Sequence, residues 1–323
     1  MTKRLQRCAL AVPATSTRFF EKAALGAADS IFLDLEDAIA PARKAQARAE
    51  AIRALKELDW GHKLLSVRVN GLDTAWALED LVDVVRNCPR LDMILLPKTS
   101  SAMDVQFVDQ ILTLIERETN RDKKIGIEVL IETAQGVANV EAIACSSPRL
   151  EAIVFGVGDY TVEMQTQDIV FGRPNSDYSV LSEKDQLGQR HLHINDQWHF
   201  AMARIANSCR AYGLRPIDGP FTDFSDIEGF VSSAWRAKSL GFEGKWAIHP
   251  TQIDSANAVF SPSKTELDWA VRIVNLLKEV NSQGRGAVAE NGVLIDMAHL
   301  KKANLILSRQ ILIDAHKKGA TNF

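Results

Sequence analysis

The sequence has little of what marks a secreted, zinc-bound or membrane-spanning chain. It has four cysteines, Cys8, Cys88, Cys145 and Cys209, and no two form a C-x-x-C pair. That argues against a zinc site or a disulfide framework and suits a reducing cytoplasm. No apolar run approaches about 18 residues, so no spanning helix and no membrane partner are expected. The basic start, Met-Thr-Lys-Arg-Leu-Gln-Arg, leads into only a short apolar run stopped by Pro13. No signal peptide is expected from it. Neither sign of charge dominates, the formal net charge being −3. There is thus no general electrostatic case for nucleic acid or anionic membrane, although a local basic patch for a phosphorylated ligand stays open. The phosphate signatures G-x-x-x-x-G-K-[ST] and G-x-G-x-x-G are both missing.

What the chain does have is a rhythm. Its 323 residues, 46% hydrophobic and 24% charged, suit a soluble chain with a large core. Short apolar runs occur at 8–12, 31–35, 64–69, 92–96, 126–132, 151–157, 214–218 and 244–248. Helical spacing follows nearly all of them, over 19–28, 43–58, 76–86, 103–118, 137–144, 198–212, 227–240 and 264–280. Such alternation predicts an α/β fold with parallel strands and crossover helices. Eight units in about 250 residues predict a closed (β/α)8 TIM barrel, with a doubly wound open sheet as the alternative. The rhythm breaks at 160–195, a polar stretch expected to lie as an insertion over one face. A Gly-rich connection at 281–292 leads to a helical pattern over 293–316. The expected organisation is a barrel domain over 1–280 and a C-terminal helical extension over 281–323, a lid over its own or a neighbouring subunit's site.

In a parallel barrel the chemistry sits where the strands end. The residues expected there are Asp34, Glu36, Asp37, Arg68, Asn70, Lys98, Glu132, Asp159, Asp218 and His249. Neighbouring strands lie about 4.8 Å apart, so Glu132 and Asp159 can share one small cation. Converging carboxylates are costly without one. All-oxygen ligands favour Mg2+ or Mn2+ over zinc. Each residue also has a plainer reading. Asp159 suits a turn or helix cap, Glu132 a first helical turn, and Asp34 to Asp37 caps of the 43–58 helix rather than support behind the metal ligands. Arg68, inside an apolar strand, either pairs with a core acid or faces the pocket to bind an anionic oxygen. His249 suits a packed loop and Asp296 a helix start. Arg18, Lys22, Arg43 and Lys44 either clamp an anionic tail at the rim or form a solvated face.

A set of short stretches, in order, carries a resemblance. They are Phe-Leu-Asp-Leu-Glu-Asp-Ala (32–38), Ser-Val-Arg-Val-Asn-Gly-Leu-Asp-Thr (66–74), Leu-Pro-Lys (96–98), Ile-Glu-Thr-Ala-Gln-Gly (131–136), Gly-Val-Gly-Asp (156–159), Asp-Gly-Pro (218–220) and Lys-Trp-Ala-Ile-His-Pro (245–250). Together they make the chain resemble the CoA-ester lyases that include citrate lyase β-subunit and malyl-CoA lyase. The insertion and the extension place it nearer the malyl-CoA (β-methylmalyl-CoA) branch. The resemblance implies Mg2+-dependent cleavage of a 3-hydroxyacyl-CoA to glyoxylate and acetyl-CoA or propionyl-CoA. It implies metal ligation by Glu132 and Asp159 and substrate binding by Arg68, Gly158 and Asp159. CoA-ester contacts fall on Lys22, Ile248 and His249. Catalysis falls on Arg68 and on Asp296, the latter supplied from an adjacent subunit of a homo-oligomer, a trimer or hexamer. The partners implied are a CoA thioester and a small 2-oxo or aldehyde acid. Alternatives are a (3S)-malyl-CoA thioesterase, a citramalyl-CoA lyase, a protein like the citrate lyase β-subunit, a non-catalytic subunit, or a metal-dependent aldolase. The chain departs from the pattern at Ser16, where the family has an arginine, and at Ala11, where malyl-CoA lyases have an aromatic.

Overall fold

The computed structural model describes residues 4–167 and 169–319; the expected outer domain limits at 1 and 323 fall outside them. The eight apolar runs become barrel strands within a residue or two of where their sequence puts them. They are β1 (Cys8–Pro13), β2 (Ser30–Asp34), β3 (Leu64–Arg68), β4 (Met93–Leu96), β5 (Gly126–Ile131), β6 (Leu150–Phe155), β9 (Arg215–Asp218) and β10 (Gly244–Ala247). Between the sixth and seventh of them the insertion folds a small antiparallel hairpin, β7 (Ser179–Leu181) and β8 (Leu192–Ile194). The barrel closes in the order β1-β10-β9-β6-β5-β4-β3-β2, with every pairing parallel. The open-sheet alternative is therefore excluded.

Side chains alternate across each strand, so one set fills the barrel and the other packs the helices. Ala9, Phe32, Leu95, Leu130, Val154, Ile217 and Trp246 form the interior layer, with Phe32 and Trp246 tilted at 4.4 Å between ring centres. Ala11, half-buried, lies on its edge. Below this layer the barrel floor is polar. Gln6 donates to Glu128 Oε1 at 2.9 Å and accepts from Arg215 at 2.7 Å. Above the layer the same inward set presents Asp34, Arg68 and Glu132.

Two expectations need correcting in detail. The chain after β6 does not go straight into a loop, because Val157–Glu163 forms a helix with Gly156 at its N-cap. The tail is not helical from 293. Residues Val288–Glu290 and Val293–Ile295 pair as a hairpin, β11 and β12, turning at Asn291-Gly292, and the helix runs from Met297 to Lys317. Asn-Gly between two apolar runs is a hairpin signal.

The tail helix packs Ala303 against Ala270, Ile273 and Leu277 of the helix Lys264–Ser282. It then reaches the barrel, where Arg309 Nη2 donates to the Glu243 carbonyl at 2.6 Å. His316 Nε2 lies 3.6 Å from Asp29, and its ring meets His62 edge-on. Glu243, Asp29 and His62 each precede a strand. The end of the tail therefore rests on the face opposite the strands' C-terminal mouth. No helix of the described residues is long and apolar enough to cross a membrane.

Candidate active site

The mouth is assembled from consecutive strand ends. Asp34 closes β2 and Arg68 closes β3, directly opposite each other in register. Two parallel bonds join them, Nε to Oδ1 and Nη2 to Oδ2, both 2.7 Å. Such a fork is the strong form of an ion pair. Arg68 Nη1 reaches Glu36 at 2.9 Å and Asp37 at 3.4 Å. The guanidinium is buried over the Phe32 and Trp246 rings. Burial works against its charge, but Asp34, Glu36 and Asp37 hold its pKa above the ordinary value. Asp34 and Glu36 are therefore partners of Arg68, not caps. The helix after β2 begins at a 3-10 turn with Ala40 at its N-cap.

Next around the rim comes Lys98, after β4, with a left-handed backbone at φ 50. Its N–H donates to Glu132 Oε1 at 2.7 Å, and its Nζ donates to Glu36 Oε1 at 2.7 Å. The same Nζ lies 3.6 Å from both Asp37 and Asp159. Glu132, one residue beyond β5, is buried. Asp159 stands in the first turn of the helix Val157–Glu163, where a negative charge is favoured. Thus Glu132 and Asp159 meet the same lysine at one rim.

The electrostatics of this rim are those of crowded acids. Burial, then the charges of Asp159 and Glu36, raise the Glu132 pKa to about 8. Burial raises Glu36 to about 7 against the pull of Arg68. At Asp37 burial acts upward too, but the bond with Glu36 and the charges of Arg68 and Lys98 hold it below the usual range. The Asp159 side chain is 39% exposed, yet its Oδ2 is shut from solvent and meets no hydrogen-bond donor. An orphaned carboxylate oxygen beside a buried glutamate suits a hard cation bound by oxygen. No group of three or more His, Cys, Asp or Glu among the described residues is placed to hold a metal. Two carboxylates leave most positions of such an ion to water or substrate, as Mg2+ sites commonly do.

The other expected residues are placed as follows. Gly158 faces the ring of Phe171, which would lie 3.5 Å from a Cβ there. Phe171 belongs to the first limb of the insertion, tied to the loop after β9 by Arg173 to Asp223 and Asp226. Lys22 is exposed on the helix Phe20–Leu25. Ile248 donates its N–H to Gln252, and His249 stacks on Phe224 while capping the turn Pro250–Gln252. Lys44 is no rim clamp; it is buried, bonding the Leu35 and Glu36 carbonyls and Asn70 Oδ1. Asn70 in turn bonds Asp80. Asp218 does not join the converging acids. Ile217 faces the barrel interior, so Asp218 faces the helices, where it binds buried Lys245 at 2.6 Å.

Asp296 lies on the tail, just beyond the hairpin strand Val293–Ile295. It caps the helix Met297–Lys317, accepting from the Ala298 and His299 N–H groups, and pairs with His299 Nδ1 at 2.8 Å. Its pKa is lowered, first by the His299 bond. Two site features were not singled out from sequence. One is the bridging role of Lys98, signalled only by Pro-Lys after an apolar run. The other is Gly156, whose missing side chain leaves room for Glu132.

The chain is similar to known proteins along nearly its whole length. The chain is 46% identical over 313 residues to the L-malyl-CoA/beta-methylmalyl-CoA lyase of Cereibacter sphaeroides, covering 97% of this chain and 96% of that one. It is 32% identical to the (3S)-malyl-CoA thioesterase of the same species, over 96% of each. The structure of CitE from Mycobacterium tuberculosis in complex with magnesium, acetoacetate and coenzyme A superposes with a TM-score of 0.71. That match has 27% identity and covers 95% of this chain and 98% of that one. Residues 7–250 match the HpcH/HpaI aldolase/citrate lyase family. With a barrel whose acids gather at one rim and relatives matched along nearly its whole length, the chain belongs to the HpcH/HpaI aldolase/citrate lyase family.

Proposed function

We propose that the protein is a Mg2+-dependent carbon–carbon lyase acting on a 3-hydroxyacyl-CoA such as malyl-CoA or β-methylmalyl-CoA, giving glyoxylate and acetyl-CoA or propionyl-CoA. The observation that carries this reading is the pairing of buried Glu132 with the orphaned Asp159 oxygen at the rim. It is supported by 46% identity to a lyase of that name. Glu132 and Asp159 would hold the ion, which when bound supplies Lewis-acid polarisation of the oxo acid. Lys22, Gly158, Ile248 and His249 would contact the CoA ester and the acid.

In condensation, Asp296 removes a proton from the carbon α to the thioester, and Arg68 stabilises the enolate oxygen. That carbon attacks the glyoxylate aldehyde, and the new alkoxide takes up a proton. Cleavage reverses these steps, and Asp296 returns the proton. A thioester α-proton is far less acidic than a carboxylic acid, so stabilising the enolate outweighs tuning the base. Asp34, Glu36 and Asp37 keep the Arg68 fork oriented.

Asp296 would serve the site of a neighbouring subunit in a trimer or hexamer; the far end of its tail, at Arg309 and His316, rests on the face opposite the mouth, in keeping with that reading. The chain works in a reducing cytoplasm, in keeping with its unpaired cysteines. Incubating the protein with Mg2+, a panel of acyl-CoAs and glyoxylate or pyruvate, and following product mass, tests the reading. No new hydroxyacyl-CoA would refute it. The 32% relative named as a thioesterase favours a second reading on the same scaffold, loss of CoA to water. Free thiol released without glyoxylate would select it.

A further inference from the structure

Lys98 touches every acid of the rim that lies outside the Asp34 fork. Its backbone N–H orients Glu132, while its ammonium is held by Glu36 and leans 3.6 Å from Asp159 Oδ2, the oxygen that no hydrogen-bond donor reaches. A left-handed backbone is uncommon for a residue with a side chain. Here it turns the amide toward one carboxylate while the side chain reaches the other.

We infer that Lys98 competes with the bound cation for Asp159 and so sets how tightly the site holds it. The inference rests on reading Glu132 and Asp159 as the cation's ligands. An ion between these carboxylates and an ammonium beside one of them repel each other. As the ion enters, the ammonium gives up Asp159 and keeps Glu36 and Asp37, both already within 3.6 Å. The amide bond to Glu132 is untouched by that exchange. The lysine thus balances the crowded acids before the ion arrives and weakens the ion's hold afterwards.

The two parts of Lys98 can be separated, because replacing the side chain leaves the backbone amide in place. Mn2+ is titrated by calorimetry into the purified full chain without substrate. Lys98→Met is expected to bind Mn2+ on the order of tenfold more tightly than the wild type, the gain shrinking as salt rises. Lys98→Gln, which keeps a donor for Glu36, should show the same direction, and Lys98→Arg should stay within about threefold of wild type. A purely structural role predicts weaker or unchanged binding by the neutral variants. That result, with the thermal midpoint preserved in either neutral variant, overturns the inference. Glu132→Gln and Asp159→Asn are the controls. If they bind Mn2+ as the wild type does, or the wild type binds none, the reading of the ligands fails and this inference with it.

Discussion

Glu132 occupies the space that a side chain on Gly156 would need. A Cβ built on Gly156 would stand 2.4 Å from Glu132 Cβ and 2.6 Å from its Oε2. The glycine at the end of β6 therefore fixes where the glutamate beyond β5 can lie. Gly156→Ala is expected to lower stability by about 1–3 kcal/mol through overpacking. It should also lower kcat/KM by about a hundredfold, the usual effect of an ångström-scale misplacement. Thermal unfolding and steady-state cleavage check both, and full activity would mean the carboxylate's position does not matter.

Acidity at the rim gives a pH signature. The Glu132 and Glu36 pKa values, about 8 and about 7, lie above the ordinary glutamate value of about 4.3. Between those limits the folded, cation-free chain binds more protons than the unfolded one. Its stability therefore falls as pH rises through that window. The melting temperature without cation should drop between about pH 5.5 and 8.5, Mg2+ should flatten the slope, and Glu132→Gln should reduce it. A cation-free melting temperature that rises across this range would contradict the arrangement.

Asp218 and Lys245 form a buried pair outside the site. Asp218→Asn strands a buried ammonium and should cost about 3–5 kcal/mol. Replacing both by apolar residues should cost far less. KM should hold in either variant, as substrate titrations would show. A large rise in KM alone would return Asp218 to the mouth.

These cases show what the sequence made legible. Eight apolar runs ending in polar residues locate the barrel and its mouth, because strand burial and strand ends follow from local chemistry. Glu132 and Asp159 were legible because each continues a buried strand into a charge. Asp218 was misplaced because the same pattern does not tell inward from outward. Counting alternation from Ile217, which faces the barrel interior, settles it. Lys98 was legible as a residue but not as a bridge, since its bond to Glu132 comes from a backbone amide in a left-handed turn. The hairpin at 288–295 straddles the expected Gly-rich connection over 281–292 and the start of the expected helix over 293–316, although Asn-Gly marks its turn.

The cap that Asp296 makes and the proton transfer proposed for it are separated by different substitutions. Asp296 caps the tail helix, so Asp296→Ala should lower the melting temperature, whereas Asp296→Ser should retain the cap. Both should lose turnover and still bind CoA ester. Calorimetry with a non-cleavable ester and a lyase assay distinguish the roles, and near-normal turnover in Asp296→Ser would remove the residue from the chemistry.

The hairpin that leads into Asp296 packs Ile295 and Val288 on the helix Lys264–Ser282, while the helix after Asp296 anchors on the barrel's floor. The proposed base, held on such an arm, can be donated between copies. Two dead proteins, one lacking the Glu132 carboxylate and the other lacking Asp296, would then rescue each other when mixed and allowed to exchange partners, since some mouths in the blend would again be whole.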